Sequence, residues 1–272
     1  MTATPSARLS TRLALLVLAS LPLLAQAQPP TAPPAPPPPA PAAPPTAPPS
    51  PPAAPARPSP EGRLYAPGDF NAIDISGAAE VRFVQGPRDR VFVEGGDEAQ
   101  KAVDFEVRDR KLNVRPTGAW KFWKQQQVQM TITARELSRV VISGSADLSA
   151  SGPVQVDRLT VSISGAGLAR FDQLKAEQLN FQVSGAGDGQ VAGSVKDLKL
   201  SISGRSEFRG ENLMSQTAKV AISGIGEVQV WATQELSISV AGFGTVDYWG
   251  APVVRRSVSG SATINDRGAK RP

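Results

Sequence analysis

One short motif returns through the second half of this chain and limits its fold more than any other feature. It is an apolar-x-apolar-x-apolar run closed by Ser-Gly and, in most copies, small residues. It occurs at Val140–Gly144, Val161–Gly165, Phe181–Gly185, Leu200–Gly204, Val220–Gly224, Ile238–Gly242 and, shortened, Val258–Gly260. The closing glycines stand 18 to 21 residues apart. Alternation with a period of two reads as a β-strand. The same strand with the same punctuation, repeated so often, is satisfied most simply by stacking the copies in parallel, each hydrogen-bonded to the next. A β-sandwich would instead alternate different strands through Greek-key returns. The expected fold is all-β, a single-domain parallel β-helix (solenoid) with coils of about 20 residues, stacked about 4.8 Å apart.

The period-two set gives the inward side chains: Leu159, Val161 and Ile163; Leu179, Phe181 and Val183; Leu198, Leu200 and Ile202; Leu236, Ile238 and Val240. After the glycines, Leu168, Val191, Phe208, Val228 and Val246 are expected to join them. Each buried side chain of this kind contributes about 1.5–3 kcal/mol, so coils stabilise one another and none stands alone. The motif also predicts a corner ladder of Ser143, Gly144, Ser164, Gly165, Ser184, Gly185, Ser203, Gly204, Ser223, Gly224, Ser259 and Gly260, broken by Ala241. The glycines are expected to turn the corner with positive φ, and the serines to bond to one another up the stack. Ahead of the repeat, strand patterns run from Phe70 to Val93, a helical turn begins at Asp97, and Phe105–Val107 and Leu112–Val114 read as strands joined through Asp109-Arg110.

The N-terminus has a different character. Arg8 and Arg12 precede an apolar run from Leu13 to Leu24 that ends in Ala25-Gln26-Ala27. A charged start, a short apolar stretch and an A-x-A site make a secretory signal peptide over residues 1–27. The run is shorter than the ~20 residues a spanning helix needs. Residues 28–60 are almost entirely Pro, Ala, Thr and Ser and hold most of the 26 prolines. Such a tract has few amide donors and no core, so it reads as a disordered Pro/Ala-rich linker of polyproline-II character. Fully extended it would reach roughly 100 Å at about 3.1 Å per residue. The folded domain is expected over 64–265, with a disordered tail at 266–272.

Composition narrows function by exclusion. The chain has no cysteine and no histidine. That excludes disulfides, thiolate metal sites, a cysteine nucleophile and an acylated N-terminal cysteine, and it removes the commonest general base. The formal charge of +5 falls further once Arg8 and Arg12 leave with the signal, so no nucleic-acid footprint is expected. No metal, cofactor or catalytic residue is expected, and a serine nucleophile in the ladder would lack a base.

Phe70-Asn71-Ala72-Ile73-Asp74-Ile75-Ser76-Gly77, then Val81, Gln85-Gly86 and Val91-Phe92-Val93-Glu94-Gly95, resemble the opening of the head GIN domain family, a group of autotransporter-adhesin-like proteins. Ser164-Gly165-Ala166-Gly167-Leu168 and Ser184-Gly185-Ala186-Gly187-Asp188 resemble its repeated Ser-Gly-Ala-Gly-Asp pattern. Tyr248-Trp249-Gly250-Ala251-Pro252, followed by Ser257-Val258-Ser259-Gly260, is similar to its last coil. The resemblance implies a right-handed, pectin-lyase-like β-helix and a role in adhesion, and it carries over no catalytic residues.

Two features remain as ligand-surface candidates. Three residues after each glycine stand Asp147, Leu168, Asp188, Glu207, Glu227, Thr245 and Thr263. A continuous carboxylate ladder would attract Ca²⁺, but Leu168 interrupts this one, so Asp188, Glu207 and Glu227 read first as solvated corner residues. Trp120, Phe122 and Trp123, flanked by Lys121 and Lys124, could stack sugars, seat at a membrane interface or fold over an open solenoid end, and the cap is favoured. Trp231, Tyr248 and Trp249 carry the same choice at the other end. Arg170, Arg205 and Arg209 are too scattered for a polysaccharide lyase. The expectation is therefore a non-catalytic adhesion or binding module with an envelope or extracellular ligand, glycan or protein. It is expected in the periplasm or at the cell surface, not lipid-anchored and without an integral span. The alternatives are a structural periplasmic scaffold without a ligand and, more remotely, a lyase-like enzyme.

Overall fold

A computed structural model describes residues 61–117 and 128–270. The signal segment, the proline-rich segment and Trp120, Phe122 and Trp123 lie outside the described residues. In chain order the elements are β1 (Gly62–Tyr65), β2 (Ala72–Ile75), β3 (Ala79–Gln85), β4 (Arg90–Glu94), α1 (Asp97–Lys101), β5 (Val103–Arg108), β6 (Lys111–Pro116), β7 (Val128–Ala134), β8 (Arg139–Ile142), β9 (Asp147–Ile163), β10 (Leu168–Val183), β11 (Asp188–Ile202), β12 (Arg205–Ile222), β13 (Ile225–Val240), β14 (Phe243–Trp249), β15 (Val253–Val258) and β16 (Ser261–Asp266). Apart from one short helix and the antiparallel strands β1, β4 and β5, the described strands form a parallel β-solenoid.

From β8 onward each coil lies in parallel register on the one before it. Val161 pairs with Phe181, Phe181 with Leu200, Leu200 with Val220, and Val220 with Ile238. The period-two side chains point inward and are almost fully buried, and the Phe181 and Phe208 rings meet edge-on at 5.1 Å. Leu168 is an exception to the expected inward set. It faces outward in register with Asp147 and Asp188, and Ala169 takes the inward place. The drift in repeat length is absorbed in mid-strand, where the register shifts near Phe171, between Gln190 and Gly193, and between Gly210 and Met214.

The repeat glycines differ from expectation in a way that explains them better. Among the described residues of this column, only Gly77 has positive φ, at 98°. At Gly144, Gly165, Gly185, Gly204, Gly224, Gly242 and Gly260 an added Cβ would meet the carbonyl oxygen of the glycine one coil earlier at 1.8–2.2 Å. The inter-coil ladder runs straight through the corner: Ala166 donates its amide to Gly144, Arg205 to Gly185 and Phe243 to Gly224. Close backbone approach, not a left-handed turn, requires glycine there. The serines differ as well. Ser143, Ser164, Ser203 and Ser223 donate their hydroxyls to the carbonyls of Ile75, Ile142, Val183 and Ile202 at 3.3–3.5 Å, and a hydroxyl-to-hydroxyl contact occurs at Ser76–Ser143 (3.3 Å).

At the N-terminal end, spatial order departs from chain order. β2 lies between β6 and β8, and β3 lies between β7 and β9. The first coil of the chain, 72–85, is thus an interior coil. The chain leaves it, returns as β6 and β7 on its outer side, and crosses at 135–138 to its inner side. Asp89 and Gln85 secure this crossing. Asp89 accepts the Arg135 amide (2.8 Å), the Arg135 guanidinium (3.2 Å) and the Phe70 amide (3.3 Å). Gln85 bonds to the Arg135 carbonyl and to both the amide and the carbonyl of Gln155. Antiparallel strands then cover the outer coil: β5 on β6, β4 on β7, and β1 on β4. The β5–β6 hairpin turns at Asp109 and Arg110 with φ of 52° and 59°, the two-residue turn that suits the strand twist.

The C-terminal end stays open among the described residues. β15 rests on β13 and β16 on β14, and no strand pairs with their outer edges. Beyond the expected boundary at 265 the chain is tied down as far as Lys270. Arg267 donates its amide to Tyr248 and pairs with Asp247 at 3.0 Å. Lys270 Nζ donates to the Glu211 carbonyl and to Asn212, and it stands over the rings of Trp231 and Trp249 at 5.5 and 5.6 Å. No helix of the described residues is long and apolar enough to cross a membrane.

Candidate ligand-binding groove

Just past the glycine column two outward columns run up the solenoid. The first holds the residue that follows each glycine, and Arg205, Ile225, Phe243 and Ser261 stand there in register. The second is the acidic row, which the register extends to Glu80 beside Asp147. Over the later coils these columns line a groove of about 600 Å³ that includes Asp188, Glu207, Glu227, Thr245 and Thr263. Ile225 and Phe243, neighbours on adjacent coils, are 48% and 66% exposed. Outward alternation puts them there, and nothing packs over them in the described residues.

The groove's charges are unequal. Arg209 grips Glu207 with two bonds, at 2.5 and 2.8 Å. Asp188 accepts the Glu207 amide at 2.9 Å. Glu227 has no ion-pair partner among the described residues, and it lies between Glu207 and Thr245 in register. Ser206 stands between Arg205 and Glu207 in sequence, but its side chain turns inward in register with Gly226, almost fully buried and with no hydrogen-bond partner for its hydroxyl. Carboxylate and hydroxyl acceptors thus adjoin an exposed ring and an aliphatic side chain. Both neighbours of each inner strand are already paired, so recognition here falls to side chains.

Of the sequence candidates, the fold brings Asp188, Glu207 and Glu227 together on one face. Among the described residues no group of three or more acidic side chains is arranged to hold a metal ion. Arg170 and Arg209 are each bound to an acid on their own strand, Asp172 and Glu207. Trp231 and Tyr248 are buried; Trp231 and Trp249 lie under the Lys270 ammonium, and Tyr248 belongs to the core. Sequence reasoning missed Ile225, Phe243 and Glu80. The signal was present at two of them: after the repeat's glycine most coils carry Ala or Ser, and a large apolar residue there breaks the pattern.

Residues 69–252 match the family described as "Putative auto-transporter adhesin, head GIN domain". No curated protein matches the chain. Among solved structures, a putative adhesin from Bacteroides fragilis NCTC 9343 aligns at a TM-score of 0.69 and 23% identity, covering 76% of this chain and 97% of that one. A putative lipid binding protein from Parabacteroides distasonis ATCC 8503 aligns at 0.59 and 20%, covering 78% and 97%. A putative adhesin from Parabacteroides merdae ATCC 43184 aligns at 0.57 and 19%, covering 78% and 96%. At these identities the likeness establishes a shared fold.

Proposed function

The chain belongs to the head GIN domain family, and from that premise we propose that it is a non-catalytic, adhesion-like binding module of the cell envelope. In this reading the signal over 1–27 exports it, the proline-rich segment 28–60 holds the solenoid away from its attachment, and the groove over the later coils meets the ligand. The observation that carries the reading is the exposed Ile225–Phe243 pair beside the carboxylate row. A solvated face gains nothing from large apolar side chains, whereas a recognition surface does.

Two measurements test this. Protease treatment of intact cells should remove the domain; loss only after lysis would place it in the periplasm and defeat surface adhesion. Purified protein should bind cells that lack it, and Phe243→Ala should weaken that binding. Unchanged binding would move recognition away from the groove.

A further inference from the structure

Building on the groove reading, we infer that its ligand is an uncharged or amino-bearing oligosaccharide. The inner strands beneath the groove, β11 to β14, have no free backbone donors or acceptors to offer a peptide, since each is paired on both sides there, and among the described residues only β16 at the groove's end has an unpaired edge. An added β-strand, the commonest way a sheet takes up a peptide, is therefore unavailable beside Glu227 and Phe243. Side-chain acceptors are plentiful: the Glu227 carboxylate, free of any ion pair among the described residues, and the hydroxyls of Thr245 and Thr263 in the same row. The Phe243 ring, two-thirds exposed, offers an apolar face.

A sugar ring matches this set. Its C–H face covers an aromatic ring, and its hydroxyls donate to carboxylates and hydroxyls at the rim. Charge narrows the class. Asp188, Glu207 and Glu227 face the groove against Arg205, with Arg209 occupied by Glu207. Carboxylated or sulfated glycans would be repelled, and an amino group would be welcomed by Glu227.

The test is an array of neutral, amino-bearing and carboxylated oligosaccharides, probed with the full mature chain, Phe243→Ala and Glu227→Gln. Both side chains are on the surface, and equal melting curves verify that the variants fold. Binding is expected in the neutral or amino class and absent from the carboxylated class. Phe243→Ala should weaken it about tenfold or more, the equivalent of about 1.4 kcal/mol. Glu227→Gln should weaken amino-sugar binding more than neutral binding. Preference for carboxylated glycans, or sugar binding indifferent to both substitutions, overturns the inference. No sugar binding, with cell binding still lost in Phe243→Ala, overturns the sugar class and leaves the groove standing. Cell binding untouched by Phe243→Ala removes the groove itself.

Discussion

At the N-terminal end Ile75 has Val114 on one side and Ile142 on the other. At the C-terminal end Val258 has Val240 on one side and no strand of the described residues on the other. The first arrangement requires the chain to leave a coil, return on its outer side and cross back, which adds long-range loop closure. In exchange the outer edges are paired by antiparallel strands. The second arrangement follows directly from the repeat and leaves two parallel strands with unpaired edges. Such edges invite association with other chains unless something discourages it. Here Arg256 stands at the inward register position that Ile238 fills one coil earlier, and it is exposed. A charge in a core position stops the stack from continuing. A solenoid can thus be finished either by covering its edge or by making its last coil unfit for another, and this chain uses one device at each end.

Six substitutions sharpen that contrast. The largest effect is expected inside the regular stack. Gly204→Ala would drive a Cβ to 1.8 Å from the Gly185 carbonyl, with backbone on both sides, and should cost more than about 3 kcal/mol in urea unfolding or abolish folding. Gly152→Ala meets nothing within 4 Å and should stay within about 0.5 kcal/mol. Next, Ile238→Ala in a sealed coil should cost about 2–5 kcal/mol, while Val254→Ala in the last coil, only partly buried, should cost clearly less.

Third comes the crossing at the covered end. Burial alone would raise the Asp89 carboxyl, but bonds from Arg135 and from the Phe70 amide outweigh it and hold the group below its ordinary value. A carboxylate lowered by folding adds stability that is present above its unfolded value of about 3.9 and is lost as pH falls toward and through the folded value. Asp89→Asn should therefore destabilise the protein by about 1–3 kcal/mol at pH 7 and flatten the acid limb of a melting-temperature profile. Asp247, lowered at the other end by Arg267 and Asn265 against the opposing effect of burial, should leave part of that limb in place. Apart from the Gly152→Ala control, the smallest effect on stability is expected for Arg256→Ile, within about 1 kcal/mol. Its consequence should appear in sedimentation instead, as concentration-dependent association that the parent chain does not show.

The regular stack was legible because its information is local. A run such as Leu200-Ser201-Ile202-Ser203-Gly204 states its own strand, inward face and corner. The reason for the glycine was not legible, because a carbonyl 1.8 Å from a hypothetical Cβ belongs to Gly185, a residue of the preceding coil. The coil order at the N-terminus was hidden for the same reason. Nothing in Ala72–Ile75 records that residues near 113 and near 141 will flank it, since pairing partners are chosen by the assembled fold. The acidic row could be read by counting from each glycine, whereas Ile225 and Phe243 were overlooked because they depart from the repeat. In a repeat protein, departures from the pattern are where a ligand surface is written.

Native-state hydrogen exchange tests the one-covered, one-open architecture most directly. Amides of 72–75 and 79–85 should exchange as slowly as those of 198–202, although they lie near the start of the domain, and those of β15 and β16 should exchange far sooner. If 72–85 exchanged as fast as β15 and β16, the first coil would not be an interior one, and the asymmetry between the two ends would be wrong.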